Sequence, residues 1–171
     1  MQFYSTNRKT SPVSLREAVV RGLAADRGLF MPEVIRRFPP AFYQNMKEMT
    51  LREISFVVAE AFFGEDVEAG KLKEIVDETL NFDIPLVQVA DNRYSLELFH
   101  GPTLAFKDVG ARFMARLLAY FNKQEGERQV NVLVATSGDT GSAVANGFLD
   151  VPGVKVFVLY PQGKVSEIQE K

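Results

Sequence analysis

Two valine-rich runs set the strongest constraint on what this chain can fold into. Val130-Asn131-Val132-Leu133-Val134-Ala135 and Val154-Lys155-Val156-Phe157-Val158-Leu159-Tyr160 are short, β-branched and apolar, which is the composition of strands buried in a sheet. Between them lie a glycine-bearing loop around Ser137 and a helical pattern over residues 140–149, then the turn dipeptide Pro152-Gly153. Parallel strands require a crossover of about a dozen residues or more, usually a helix. Strand, loop, helix and strand in that order therefore predict a βαβ unit with parallel strands and a right-handed connection. Ligands of such sheets bind beyond the carboxyl ends of the strands, where the Ser137 loop must lie.

The chain upstream has a different rhythm. Residues 1–80 read as mostly helical. Ser14-Leu15-Arg16-Glu17 and Thr50-Leu51-Arg52-Glu53 are capping boxes, opening helices over 15–23 and 51–63. The second is apolar on most faces and is expected to be buried. A third helix spans 67–80, and a shorter one 40–49 follows the Pro39-Pro40 break. From Pro85 the period changes to two, and residues 86–90 and 93–98 flank Asp91-Asn92 as a hairpin. The predicted division is a helical N-terminal domain, 1–82, and an α/β domain, 83–171.

A second pattern carries the chemistry. A strand-like run over 94–99 stops at Gly101-Pro102. Then come Thr103, the apolar tripeptide Leu104-Ala105-Phe106, Lys107 and Asp108, which reads as the N-cap of a helix whose stripe is Val109, Phe113, Leu117 and Phe121. Lysine is badly placed at a helix start, because the macrodipole there is positive. Apolar neighbours that desolvate an amine favour its neutral form. An ordinary lysine is neutral in roughly one molecule in 2,500 at pH 7, and a helix end supplies only about 0.3–1 kcal/mol, so desolvation or a covalent partner has to do the rest. A neutral lysine serves as a nucleophile toward carbonyl compounds or a pyridoxal cofactor; the plainer alternative is a solvent-facing lysine.

Ala135-Thr136-Ser137-Gly138-Asp139-Thr140-Gly141-Ser142-Ala143 gathers hydroxyls, glycines and backbone N–H groups at a helix start, the makings of an anion site for carboxylate or phosphate. It is neither a Walker loop, since Gly163-Lys164 lacks a glycine five residues earlier and is followed by Val165, nor a dinucleotide fingerprint.

Together, Glu97-Leu98-Phe99-His100-Gly101-Pro102-Thr103-Leu104-Ala105-Phe106-Lys107-Asp108, the Ala135–Ala143 block, and the N-terminal Tyr4-Ser5-Thr6 with Gly28-Leu29-Phe30-Met31-Pro32 resemble the threonine synthases, pyridoxal-phosphate enzymes of the tryptophan-synthase-β-like fold. The resemblance implies a small, mostly helical N-terminal domain followed by the first part of a three-layer α/β core with parallel strands. It implies pyridoxal 5'-phosphate on Lys107, with Asp139 beside the cofactor. Thr136, Ser137, Gly138, Asp139 and Thr140 would hold the substrate's α-carboxylate. The implied reaction converts O-phospho-L-homoserine and water to L-threonine and phosphate, with Lys107 also moving protons at the α and β carbons. His100 and Thr103 would shape the turn near the cofactor. The family's phosphate cup and pyridine-nitrogen partner lie in later sequence, so residues 1–171 are expected to be an inactive N-terminal fragment whose unfinished sheet favours self-association. The family usually has two glycines where this chain has Arg27-Gly28; Arg27 is strained if that position demands a positive φ, unless the turn differs. A phospholyase of the same type acting on another phosphorylated substrate stays open, as does a non-catalytic anion-binding module. A β-replacing or dehydratase relative fits the motifs less well.

Composition closes off other classes. With 46% hydrophobic residues and 14 phenylalanines the chain can bury a core. Net charge of −2 without a basic run argues against nucleic acid. No apolar stretch reaches the length of a membrane span and no signal-peptide layout opens the chain, so a cytoplasmic protein is expected. There is no cysteine and only one histidine, His100, so no thiolate or multi-histidine metal site is expected.

Overall fold

The computed structural model describes residues 1–124, 126, 128–136 and 138–167. The chain divides into two compact units, Met1–Asp77 and Glu78–Lys171, a division that falls in the last turn of a helix rather than after it.

The first unit holds strands β1 (Gln2–Ser5), β2 (Val13–Ser14) and β3 (Phe30–Pro32) as a three-stranded antiparallel sheet in the order β2-β1-β3. A mostly helical unit was expected, and this sheet is the main departure. Helix α1 (Leu15–Arg21) starts where Ser14 Oγ accepts from the Glu17 N–H at 3.2 Å. Helix α2 (Pro40–Asn45) runs into a 3-10 turn (Met46–Glu48). Helix α3 (Leu51–Phe63) is opened by a full capping box: Thr50 Oγ1 accepts from the Glu53 N–H, and the Glu53 carboxylate accepts from the Thr50 N–H at 2.7 Å. Contrary to expectation α3 is only half-buried, with Ala59 alone fully covered, because a helix apolar on most faces needs neighbours on all of them. Helix α4 (Ala69–Thr79) buries Leu72, Ile75 and Val76 at helical spacing.

The turn before β3 is organised by Asp26. Its carboxylate accepts from Ser5 Oγ (2.5 Å), the Lys9 N–H (2.9 Å) and the Gly28 N–H (3.0 Å), and these bonds, Ser5's first, hold it below the usual aspartate range. Arg27 takes φ +67, so the position does demand the left-handed region and Arg27 carries the strain.

The second unit begins with the antiparallel pair β4 (Leu86–Ala90) and β5 (Arg93–Leu96), turned at Asn92 with φ +56. Helix α5 (Lys107–Gln124) follows. Strand β6 (Val130–Ala135), helix α6 (Asp139–Gly147) and strand β7 (Val154–Leu159) form the expected βαβ unit, with β6 and β7 parallel from Val130↔Val154 to Ala135↔Leu159. Helix α6 packs against α5 and both strands. The strands are buried on one face only: the valines are half-covered, while Leu133, Phe157 and Leu159 are exposed. Both faces of these strands are apolar, and each needs its own covering layer. Arg112 on α5 donates from Nε to the Thr79 carbonyl (3.2 Å) and from a terminal nitrogen to that of Glu78 (2.6 Å), and burial lowers its pKa. Among the described residues no helix is long and apolar enough to cross a membrane, and no cluster of acidic or histidine side chains is arranged to hold a metal ion.

Candidate active site at the starts of two helices

Lys107 is the first residue of α5, and Asp139 the first of α6. The contact between α5 and α6 brings their starts together, leaving Lys107 Nζ 3.5 Å from Asp139 Oδ2. The two motifs therefore meet in space. Both side chains keep solvent access, 35% for Lys107 and 56% for Asp139. A pair this exposed contributes about 0–1 kcal/mol to stability, so its interest is positional. Asp139 also places negative charge at the positive end of α6, where it is favoured.

The loop ahead of Lys107 departs from the sequence expectation in two ways. Asp108 is not the N-cap but lies within the first turn of α5 and is fully buried. Its carboxylate reaches back over the loop: Thr103 donates from its N–H to Oδ2 (2.9 Å) and from its hydroxyl to Oδ1 (2.5 Å). Gly101 makes room, since a Cβ there would lie 2.5 Å from Asp108 Oδ2. Between these anchors Leu104 adopts φ +57, which costs a non-glycine residue about 1–2 kcal/mol. Two bonds to a charged acceptor, each about 1.5–3 kcal/mol, outweigh that strain. Second, the apolar tripeptide does not bury the amine. Leu104 and Phe106 are 71% and 61% exposed and only Ala105 points inward, because the left-handed residue turns the loop outward. The neighbour of Lys107 is the Asp139 carboxylate, with the Phe106 ring 5.5 Å from Nζ.

The second motif forms a shallow depression lined by Thr136, Gly138, Gly141, Ser142, Val158 and Tyr160. The Thr136 N–H donates to the Leu159 carbonyl (2.9 Å), fixing the loop to the end of β7, and the Gly138 N–H donates to Thr136 Oγ1 (3.3 Å). Gly141 is required by close approach, since a Cβ there would meet Thr136 Cγ2 at 2.5 Å. Thr140 stands half-exposed in the first turn of α6. Ser137, expected in this loop, lies outside the described residues. His100 bonds Glu97 (Nε2 to Oε2, 2.6 Å). Sequence reasoning passed over Ser142 and Asp108: the first was a fourth hydroxyl in the same block, and the second was assigned to a cap.

The arrangement offers a solvent-reachable primary amine held beside a carboxylate, and a neighbouring loop with hydroxyls and a helix N-terminus suited to an anion. Along its length the chain is similar to known proteins. The family described as "Threonine synthase N terminus" matches residues 2–80. A threonine synthase of Serratia marcescens is 43% identical over 171 residues, covering 100% of this chain and 39% of that protein. The crystal structure of threonine synthase from Escherichia coli superposes with TM-score 0.90 at 40% identity, over 99% of this chain and 39% of that one. A pyridoxal-phosphate-bound threonine synthase from Brucella melitensis gives TM-score 0.92 at 35% identity, over 99% and 38%.

Proposed function

Because this chain corresponds along its whole length to the N-terminal part of threonine synthases, we propose that the protein it belongs to converts O-phospho-L-homoserine and water to L-threonine and phosphate with pyridoxal 5'-phosphate. The chain spans 39% of the length of the Serratia relative. The observation that carries the reading is the 3.5 Å approach of Lys107 Nζ to Asp139 Oδ2, which unites the two motifs at one place.

The residues present fit the attachment end of this cofactor. Lys107 offers a primary amine that keeps solvent access at a helix start, beside the Asp139 carboxylate and the Phe106 ring. When bound, the cofactor supplies an electron sink that stabilises negative charge on the substrate carbons. The chain's own residues do the rest. Lys107 would hold the cofactor, and its free amine would take and return protons at the substrate's α and β carbons. Asp139 keeps the amine in place and balances its charge. Thr136, Ser137, Gly138 and Thr140, with the N–H groups at the start of α6, receive the α-carboxylate, so that the carbon losing its proton faces Lys107.

The test uses a full-length protein containing this chain. Reduction with borohydride in the presence of pyridoxal phosphate should fix the label on Lys107. Lys107→Ala should abolish both the visible absorption band and threonine formation from O-phosphohomoserine. Label recovered on Lys123 or Lys164 in place of Lys107 overturns the assignment.

A further inference from the structure

We propose that Asp108 is a positioning residue for Lys107, acting through Thr103 to hold a strained loop in the one conformation that presents the amine to Asp139. The proposal rests on the reading of Lys107 as the cofactor-bearing lysine.

A fully buried carboxylate is an expensive group unless every oxygen is used. Asp108 has no exposure, and although the Arg112 guanidinium one turn along α5 feels its charge, both of its oxygens are bonded by Thr103, to the N–H and the hydroxyl. These bonds span the residues that contain Leu104, which sits at φ +57 with its side chain in solvent. That side chain is mostly exposed, so the left-handed turn is held by its ends: the Leu104 N–H on the Gly101 carbonyl (3.1 Å), the Asp108 N–H on the Ala105 carbonyl (3.0 Å), and the Asp108–Thr103 clamp. Lys107 is the residue between the turn and the clamp. If the turn relaxes toward ordinary φ, the path of residues 104–106 changes and with it the start of α5, where the Lys107 side chain departs. Strain of this kind persists only where its surroundings over-determine it. Here the buried carboxylate is what over-determines it.

The experiment measures how fast Lys107 in the full-length protein reacts with pyridoxal phosphate, trapped by borohydride and quantified by peptide mass spectrometry, with Lys123 and Lys155 in the same molecules as internal controls. Asp108→Ala should cut the Lys107 signal relative to the controls by at least about tenfold, the loss of bonds to a charged group. Thr103→Val, which keeps the backbone bond, should give a smaller loss, and Thr103→Ser should match the wild type. Adding Leu104→Gly to Asp108→Ala should restore part of the signal, because glycine takes the left-handed turn without a clamp. Should Asp108→Ala unfold, the Thr103 pair carries the same comparison. Lys107 labelled equally in the wild type and all folded variants overturns the positioning role while leaving the proposed function standing. So does a decline that the control lysines share, or the absence of any rescue by Leu104→Gly. A wild type that is not labelled at Lys107 overturns the proposed function itself.

Discussion

One substitution made at two glycines should change stability in opposite directions. Gly110 and Gly147 lie on the neighbouring helices α5 and α6. A Cβ built on Gly110 meets no atom within 4 Å, whereas one on Gly147 lies 2.9 Å from the carbonyl carbon of Ala111 and 3.1 Å from its Cβ and its oxygen. Alanine gains about 0.5–1 kcal/mol over glycine in a helix interior, and Gly110→Ala should show most of that gain. Gly147 is the last residue of α6, where that gain is smaller, and it is set against overpacking of about 1–3 kcal/mol by an obstruction that is mostly backbone and cannot swing aside. Gly147→Ala should therefore be destabilising by about 1–2 kcal/mol. In urea, with a slope of about 1–3 kcal/mol per molar for a small domain, the two midpoints should move apart, one up and one down, by about half a molar each. Because α6 must also retreat from α5, the Lys107–Asp139 approach at the other end of that contact should lengthen and Lys107 labelling should fall. A Gly147→Ala midpoint that rises alongside Gly110→Ala would refute the close-approach argument.

Two further outcomes follow from the first unit. Arg27→Gly should stabilise by about 0.5–1 kcal/mol, read as a higher unfolding midpoint, because the left-handed φ of +67 is free for glycine and strained for arginine; an unchanged or lower midpoint defeats the strain argument. Asp26 has a folded pKa below its unfolded one, so its contribution is present above the unfolded value and lost as the pH falls through the folded value. Stability measured below about pH 4 should thus decline less steeply in Asp26→Asn than in the parent chain, and parallel declines would show that Asp26 is not linked to acid unfolding.

How far the sequence disclosed these features depends on whether their partners are local. The strands at 130–135 and 154–159, the Thr50–Glu53 capping box and the hairpin at Asn92 each carry their determinants within a few residues, and all are present; Ser14 caps α1 as expected, but Glu17 turns to Arg21 and leaves that box half-made. The sheet of β1, β2 and β3 escaped because its strands are two to four residues long, too short to show alternation, and its register is set by partners far along the chain. At the site, the positions of Lys107 and Asp139 were legible but the environment was not. Leu104 lacks the glycine that would announce a left-handed turn, so the outward path of Leu104 and Phe106 had no signal. Asp108 was read as a cap because an aspartate before an apolar stripe usually is one; only burial distinguishes a cap from a clamp. The glycine expected at Arg27 did point to a real backbone demand, met here with strain.

The clamp and the ion pair also differ in when they become available during synthesis. Thr103, Leu104 and Asp108 emerge from the ribosome together, and every bond that shapes the strained loop can close as soon as α5 begins. Asp139 follows only after the rest of α5 and all of β6 have been made, a delay of a few seconds at about 5–20 residues per second, and the parallel partner of β6 arrives later still. The bonds of the loop thus have all their partners in the chain before the carboxylate that faces the lysine exists. Chain order sets the sequence in which the parts of this site become available: loop first, pair second, sheet last.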